Sequence, residues 1–287
     1  VGDKTNAGIV SEAVTGSYPV LKWHRDETGG GVEGDFESLD DCIAEEVPVA
    51  LIYNGISHAV MLATPQDLKD FALGFSLSEG ILSSPQELYD VEVVTQAKGI
   101  ELHVEIASSR FAQLKERRRS MTGRTGCGLC GAESLEQALR LPDSINNSHQ
   151  RFEPEAIFKA LKAIQGKQVL QGLTGATHAS AWVTPEGEIV MVREDVGRHN
   201  ALDKLLGARA KSNPEQAGFV LTTSRASYEM VQKVAVANIA MLVAISAPTG
   251  LAIRIAQSCG ITLVGFARSH QHVIYSRADR ILHKELA

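Results

Sequence analysis

The chain reads as an α/β protein whose C-terminal third builds a mostly parallel sheet. Strands and helices alternate from Phe219 to Ala267, which implies right-handed βαβ units. The strands of that region are apolar throughout, as expected when both faces of a sheet are covered. A hairpin signal near residue 54 adds an antiparallel component before it.

Residues 1–40 carry Gly29-Gly30-Gly31 and scattered charges without a sustained period, and are expected to be a tail or a loosely docked arm. Compact structure is expected from near Glu45. Val47–Tyr53 is a strand, Asn54-Gly55 a turn, and His58–Ala63 the returning strand. Thr64-Pro65 reads as an N-cap with Pro at the first helical position. The helix should run to about Glu79, with Leu68, Phe71, Ala72, Phe75 and Ser76 near one face, and end at Gly80. Glu101–Ile106 alternates charged and apolar residues, as a half-buried strand does. A basic helix-like run and a glycine-rich loop follow, then a polar linker at 141–152. Glu153–Ile164 is helical; His178–Val183 and Glu188–Arg193 are short strands. Phe219–Thr223, Leu242–Ser246 and Thr262–Ala267 are strands separated by helices at Ser227–Ile239 and Thr249–Ser258. The expected division is a tail at 1–40, an N-terminal α+β part at 41–150 with a mobile loop at about 120–135, and a C-terminal α/β nucleotide- or cofactor-binding part at 151–287.

The 287 residues are 44% hydrophobic and 22% charged, with a formal net charge of −6. A mildly acidic chain argues against general binding to nucleic acid or a membrane surface, so any anion site must be local. No apolar run approaches the roughly 18–20 residues of a membrane span, and no basic-then-apolar stretch marks a signal peptide. Cys42, Cys127, Cys130 and Cys259 are too few for a disulfide framework in a chain of this size. The expected location is therefore a reducing cytoplasm, where the close pair Cys127/Cys130 points to chemistry.

A Cys-x-x-Cys pair serves metal ligation, disulfide redox, or nucleophilic and persulfide chemistry. Zinc would need further ligands, and with no second pair it would have to recruit a distant residue such as His178. A redox motif would sit at a strand-to-helix junction, whereas this pair lies in a glycine-rich loop. No metal site is therefore assigned. Lys115, Arg117, Arg118, Arg119 and Arg124 crowd the approach to Cys127. Cations favour thiolate over thiol, and Gly126, Gly128 and Gly131 would let the thiolate visit a donor and then an acceptor. A solvated basic helix followed by an incidental Cys pair remains the plain alternative.

In an open parallel sheet, ligands bind beyond the carboxyl ends of the strands. Those ends carry Ser224-Arg225-Ala226-Ser227, Ser246-Ala247-Pro248-Thr249 and Arg268-Ser269-His270-Gln271. The first two lead into helix N-termini, which favour anions, and the set suits a phosphorylated ligand. Each hydroxyl could equally be a helix cap. Glu194–Lys204 also follows a strand and opens a helix. Asp195 there could cap the helix or accept from a nucleobase or ribose, and His199 and Lys204 could face ligand or solvent. His178 reads as a buried, hydrogen-bonded histidine ahead of a metal ligand.

These residues resemble the formate dehydrogenase accessory (FdhD) family. The resemblance rests on Arg124–Gly131 (RTGCGLCG), Glu194–Lys204 (EDVGRHNALDK), Ser224–Lys233 (SRASYEMVQK), Ser246–Thr249 (SAPT) and Gly265-Phe266, in the family's order, and spans about Glu45 to Tyr275. It implies a sulfurtransferase that receives sulfur from a cysteine desulfurase. The sulfur then passes to Mo-bis(molybdopterin guanine dinucleotide), or its tungsten counterpart, for formate dehydrogenase. Cys127 then corresponds to the persulfide carrier, with Cys130 beside it. The resemblance places cofactor contact at Phe266, Ala267, Arg268, Ser269, His270 and Gln271, where the sheet argument puts a phosphate rim with Ser224 and Arg225. A guanine nucleotide such as GDP would mimic part of the cofactor, with Asp195 accepting from guanine. The implied fold is three-layer α/β/α, similar to cytidine deaminases, and the implied assembly a homodimer. Family members often carry glycine after the arginine; Ser269, His270, Gln271 and His272 stand here instead. Deamination needs His-x-Glu and Pro-Cys-x-x-Cys. His178 is followed by Ala179-Ser180 and Cys127 is preceded by Gly126, so deamination is rejected. The other classes are a zinc-dependent nucleotide hydrolase and a non-catalytic chaperone of the cofactor or apo-enzyme.

Overall fold

The computed structural model describes residues 13–25, 34–122, 142–146, 149–212 and 215–282. The Cys127/Cys130 loop and the side chains of Arg117, Arg118 and Arg119 lie outside the described residues. Within the first forty residues, Thr15–Arg25 (β1) and Gly34–Ala44 (β2) pair antiparallel into a two-stranded ribbon. For residues 15–25 and 34–40 this corrects the reading of residues 1–40 as a tail. Cross-strand pairs such as Trp23 with Phe36 and Val20 with Leu39 support the ribbon. Both of its faces mix polar and apolar residues, so no period of two stands out in the sequence.

Val47–Tyr53 (β3) alternates fully buried and half-buried side chains. Asn54 and Gly55, both at positive φ (44° and 83°), turn it into Ile56–Ala63 (β4), the geometry a tight hairpin needs. Leu68–Ser78 (α1) follows. Leu88–Gln96 (β5) and Gly99–Ile106 (β6) complete a four-stranded sheet of order β4-β3-β6-β5, with β3 and β6 parallel. Ser108–Thr122 (α2) leads out of it. Helix α1 begins at Leu68, later than the Thr64-Pro65 cap expected from sequence. Thr64 is fully buried and spends its polar groups elsewhere: its N–H donates to Asp195 Oδ2 at 3.1 Å and its Oγ1 accepts from the Val196 N–H at 3.1 Å.

The second half contains Pro154–Ile164 (α3), Val169–Thr174 (α4), His178–Val183 (β7), Ile189–Asp195 (β8) and Arg198–Ser212 (α5). Phe219–Thr222 (β9), Tyr228–Val236 (α6), Met241–Ala244 (β10), Gly250–Cys259 (α7), Thr262–Arg268 (β11) and Gln271–Ser276 (β12) follow. The six strands lie in the order β12-β11-β10-β9-β7-β8. β9, β10 and β11 pair in parallel, whereas β7–β8, β7–β9 and β11–β12 pair antiparallel, so β8 runs with the three central strands and β7 and β12 run against them. The expected mostly parallel sheet is therefore corrected to a parallel centre with antiparallel flanks. The reason is connection length: the turns at Thr184–Gly187 and Ser269–His270 are too short for a crossover.

Two hydrophobic cores result. One gathers side chains from Val47 to Leu114, the other from Ile145 to Ile281. Helices α1 and α5 join them by crossing at Gly74 and Gly207. A Cβ on Gly74 would lie 1.7 Å from the Asp203 carbonyl oxygen, and one on Gly207 2.0 Å from that of Asp70. Beside the crossing, Lys233 Nζ lies 2.8 Å from Glu79 Oε1 and 3.0 Å from Asp203 Oδ2, and Ser78 Oγ donates to Asp203 Oδ1 at 2.7 Å. The described residues contain no helix long and apolar enough to cross a membrane.

Candidate functional site: a polar rim on the six-stranded sheet

Strand directions bring the chemistry-bearing residues to one edge. β9, β10 and β11 end there, β8 ends there at Asp195, and antiparallel β7 begins there at His178. Backbone bonds stitch the loops beyond the strands together. Ile245 N donates to Thr222 O at 3.0 Å, Thr249 N to Ala226 O at 3.1 Å and Phe266 N to Ser246 O at 3.2 Å. Arg268 Nη1 donates to Ile245 O at 2.7 Å. The three loops singled out from sequence are therefore contiguous.

Within the rim, the residues divide by exposure. Arg225, Arg268, Ser269, His270 and Gln271 are exposed. Ser269 Oγ and His270 Nδ1 lie 3.0 Å apart in the turn between β11 and β12. Phe266 is 41% exposed and holds φ at 48°, a region that costs a bulky residue free energy unless its surroundings enforce it. Its bond to Ser246 and the register shift between Gly265 and Arg268 supply that enforcement. Gly265 lets the neighbouring loop pack this closely, since a Cβ there would lie 2.7 Å from Pro248 Cδ. Ala267, on the opposite face of the strand, is buried in the core, so it offers the rim only backbone. Ser224 is also buried, donating to Arg225 O at 3.0 Å with Thr222 Oγ1 3.0 Å away; it shapes the loop from inside. Thr249 is a helix cap, its Oγ1 accepting from Ala252 N at 3.3 Å.

Asp195 is corrected from a base acceptor to an internal hub. It is fully buried, and Lys204 Nζ lies 2.6 Å from its Oδ2. Gly197 N donates to Oδ1 at 2.7 Å, Asn200 Nδ2 to Oδ1 at 3.1 Å and Thr64 N to Oδ2 at 3.1 Å. Lys204 also donates to Thr64 O at 2.9 Å, so it faces neither ligand nor solvent. Glu194 is likewise occupied, accepting from the N–H groups of Leu170 and Gln171 at the start of α4. Its Oε1 also takes the Thr177 hydroxyl at 3.1 Å.

His178 and His199 stay on the rim side. His199 Nε2 lies 2.8 Å from Glu229 Oε2 and 3.3 Å from Ser227 Oγ. Burial lowers the pKa of both imidazoles, and the positive charge of Arg198 lowers both further; Glu229 opposes the shift on His199. Arg198, the first residue of α5, was not singled out from sequence. The strand–Gly–Arg–His turn at Asp195–His199 was the available signal. Among the described residues, no cluster of His, Cys, Asp and Glu is arranged to hold a metal ion.

Residues 44–282 match the model of the FdhD/NarQ family. A Cupriavidus necator protein named sulfur carrier protein FdhD is 52% identical over 279 residues, covering 97% of this chain and 94% of its own. A Bordetella petrii protein of the same name is 52% identical over 253 residues, covering 88% of this chain and 90% of its own. A crystal structure assigned as a formate dehydrogenase accessory protein from Desulfotalea psychrophila superposes with a TM-score of 0.67 at 21% identity. That match covers 93% of this chain and 99% of that one, and supports the fold. With the match running from the end of the ribbon to the last described strand and beyond, this chain belongs to the FdhD/NarQ family.

Proposed function

We propose that the chain is a sulfur carrier in formate dehydrogenase maturation, with Cys127 as the sulfur-bearing residue. The observation that carries this reading is the 52% identity over nearly the whole chain to a protein named for that role. In the first step, the Cys127 thiolate attacks the terminal sulfur of a cysteine desulfurase persulfide. The donor's S–S bond breaks, its cysteine leaves as a thiolate, and Cys127 holds the persulfide with no net change in oxidation state. The basic run before the loop favours the attacking thiolate. The acceptor is Mo-bis(molybdopterin guanine dinucleotide), the cargo of the reaction. Release of the sulfur as sulfide consumes two electrons, which an external thiol reductant provides.

The exposed side chains Arg225, Phe266, Arg268, Ser269, His270 and Gln271 are proposed to contact the guanine nucleotide ends of that cargo. The contiguity of their loops supports this, and the arginines suit phosphate oxygens. A three-layer arrangement like that of cytidine deaminases, a homodimer offering two rims to a cofactor with two nucleotide ends, and action in the cytoplasm belong to the same proposal. Mass spectrometry of the protein after incubation with a cysteine desulfurase and cysteine is the test. A gain of one sulfur mapped to the Cys127 peptide is expected. Sulfur found elsewhere, or none, would overturn the assignment.

A further inference from the structure

The two faces of the β1–β2 ribbon differ in character. The strands pair without a register shift, so odd-numbered β1 residues share a face with even-numbered β2 residues. One face pairs its own polar groups. Lys22 stands opposite Glu37 and His24 opposite Asp35. His24 Nε2 lies 3.1 Å from Glu37 Oε2, and the Tyr18 hydroxyl donates to Glu45 Oε1 at 3.0 Å. The other face carries Pro19, Leu21, Trp23 and Phe36 side by side. Leu21 is 71% exposed, Trp23 44% and Phe36 70%. Large apolar side chains grouped in water cost free energy that a covering surface would recover. Residues 15–43 of the ribbon precede the match to the family model, which begins at residue 44. This face therefore lies outside the part that the family model describes.

The ribbon's edges are poor templates for another strand. Pro19 brings no N–H to β1, and Asp35, Glu37, Asp40 and Asp41 line β2; both are devices that keep edge strands from pairing. Docking therefore falls to the apolar face, whose charges are self-complementary. Arg25 stands at its tip and Asp40 beside Pro19 toward its base, both exposed, with the rows Trp23/Phe36 and Leu21/Ser38 between them. We propose that a second copy of this chain packs on this face. The inference rests on the homodimer of the proposed function and names its contact. A two-fold axis between two such faces, perpendicular to the strands and level with Lys22, lays Trp23 over the partner's Leu21 and Phe36 over the partner's Ser38, large against small. The same axis brings Arg25 of each copy to the partner's Asp40, so one operation forms two ion pairs. A partner surface of a single sign would repel one of these charges, whereas a second copy satisfies both.

Sedimentation equilibrium on the full chain tests this. The samples are wild type, Arg25→Asp, Asp40→Arg, the double swap Arg25→Asp/Asp40→Arg, and Leu21→Ser/Phe36→Ser. Each single swap sets like charges together and should raise the dimer dissociation constant about tenfold or more. The double swap should recover most of that loss, which also excludes misfolding as its cause. Leu21→Ser/Phe36→Ser should be monomeric at concentrations where the wild type is a dimer. A dimer unchanged in every variant would overturn the ribbon contact and leave a homodimer formed elsewhere. Single swaps that weaken the dimer without recovery in the double swap would overturn the two-fold arrangement. A monomeric wild type would overturn both the contact and the homodimer. If that monomer bound apo-formate dehydrogenase or a cysteine desulfurase, and lost the binding in Leu21→Ser/Phe36→Ser, the face would belong to a different protein.

Discussion

The Asp195 carboxylate lies 2.6 Å from the Lys204 ammonium, and neither side chain reaches solvent. The pair sits where the two cores meet, since both residues also bond Thr64 at the end of the N-terminal hairpin. Burial lowers the Lys204 pKa, and Asp195 opposes that shift. The pair thus fixes where α5 starts, and with it Arg198 and His199 on the rim.

Lys204→Met should therefore destabilise the protein strongly, by roughly 3–5 kcal/mol, because Asp195 would stay buried without its cation. Asp195→Asn combined with Lys204→Met should recover part of the loss. Urea denaturation of the single and double variants measures both. A single variant as stable as wild type would mean the pair contributes nothing at this junction.

Gly74→Ala should cost about 1–3 kcal/mol or more, since the added methyl meets backbone that has to move. Gly172→Ala is the control: nothing lies within 4 Å of a Cβ there. In helix α4 it should be neutral or stabilising by up to about 1 kcal/mol. Thermal melts of the two variants compare them directly, and equal midpoints would remove the close-crossing argument.

Acidification should act on the rim histidines. Burial, and then Arg198, hold His178 below its ordinary value of 6.5, so the unfolded chain binds the proton more readily. The stability that neutral His178 contributes is fully present above about pH 6.5 and is lost as pH falls through its folded value. His178→Gln should therefore gain in melting temperature relative to wild type between about pH 7.5 and pH 5.5. A difference that stays constant with pH would contradict this.

Cys127→Ala should abolish formate dehydrogenase maturation while leaving the melting temperature within about 1–2 °C of wild type, because a side chain in a glycine-rich loop contributes little to stability. Cys130→Ala should be milder, as one sulfur suffices to carry the persulfide. Formate dehydrogenase activity in a complemented deletion strain reads both. Normal activity with Cys127→Ala would remove the carrier assignment.

Local signals carried much of this architecture. Val47–Tyr53, the Asn54-Gly55 turn and the β9–α6–β10–α7–β11 rhythm follow from periods, turn residues and caps that neighbours in the chain impose on one another. The convergence of the Ser224, Ser246 and Arg268 loops followed too, because parallel strands joined by helices must open their ends on one edge. The ribbon β1–β2 and the edge strands β5 and β12 were not legible. Their side chains are largely exposed or mixed, and pairing across strands holds them. Nor could the sequence say which way Asp195, Lys204 and Ser224 point. Each belongs to a residue type that prefers water; Asp195 and Lys204 are buried because Thr64, distant in the chain, helps satisfy them, and Ser224 because Thr222 and Arg225 in its own loop do.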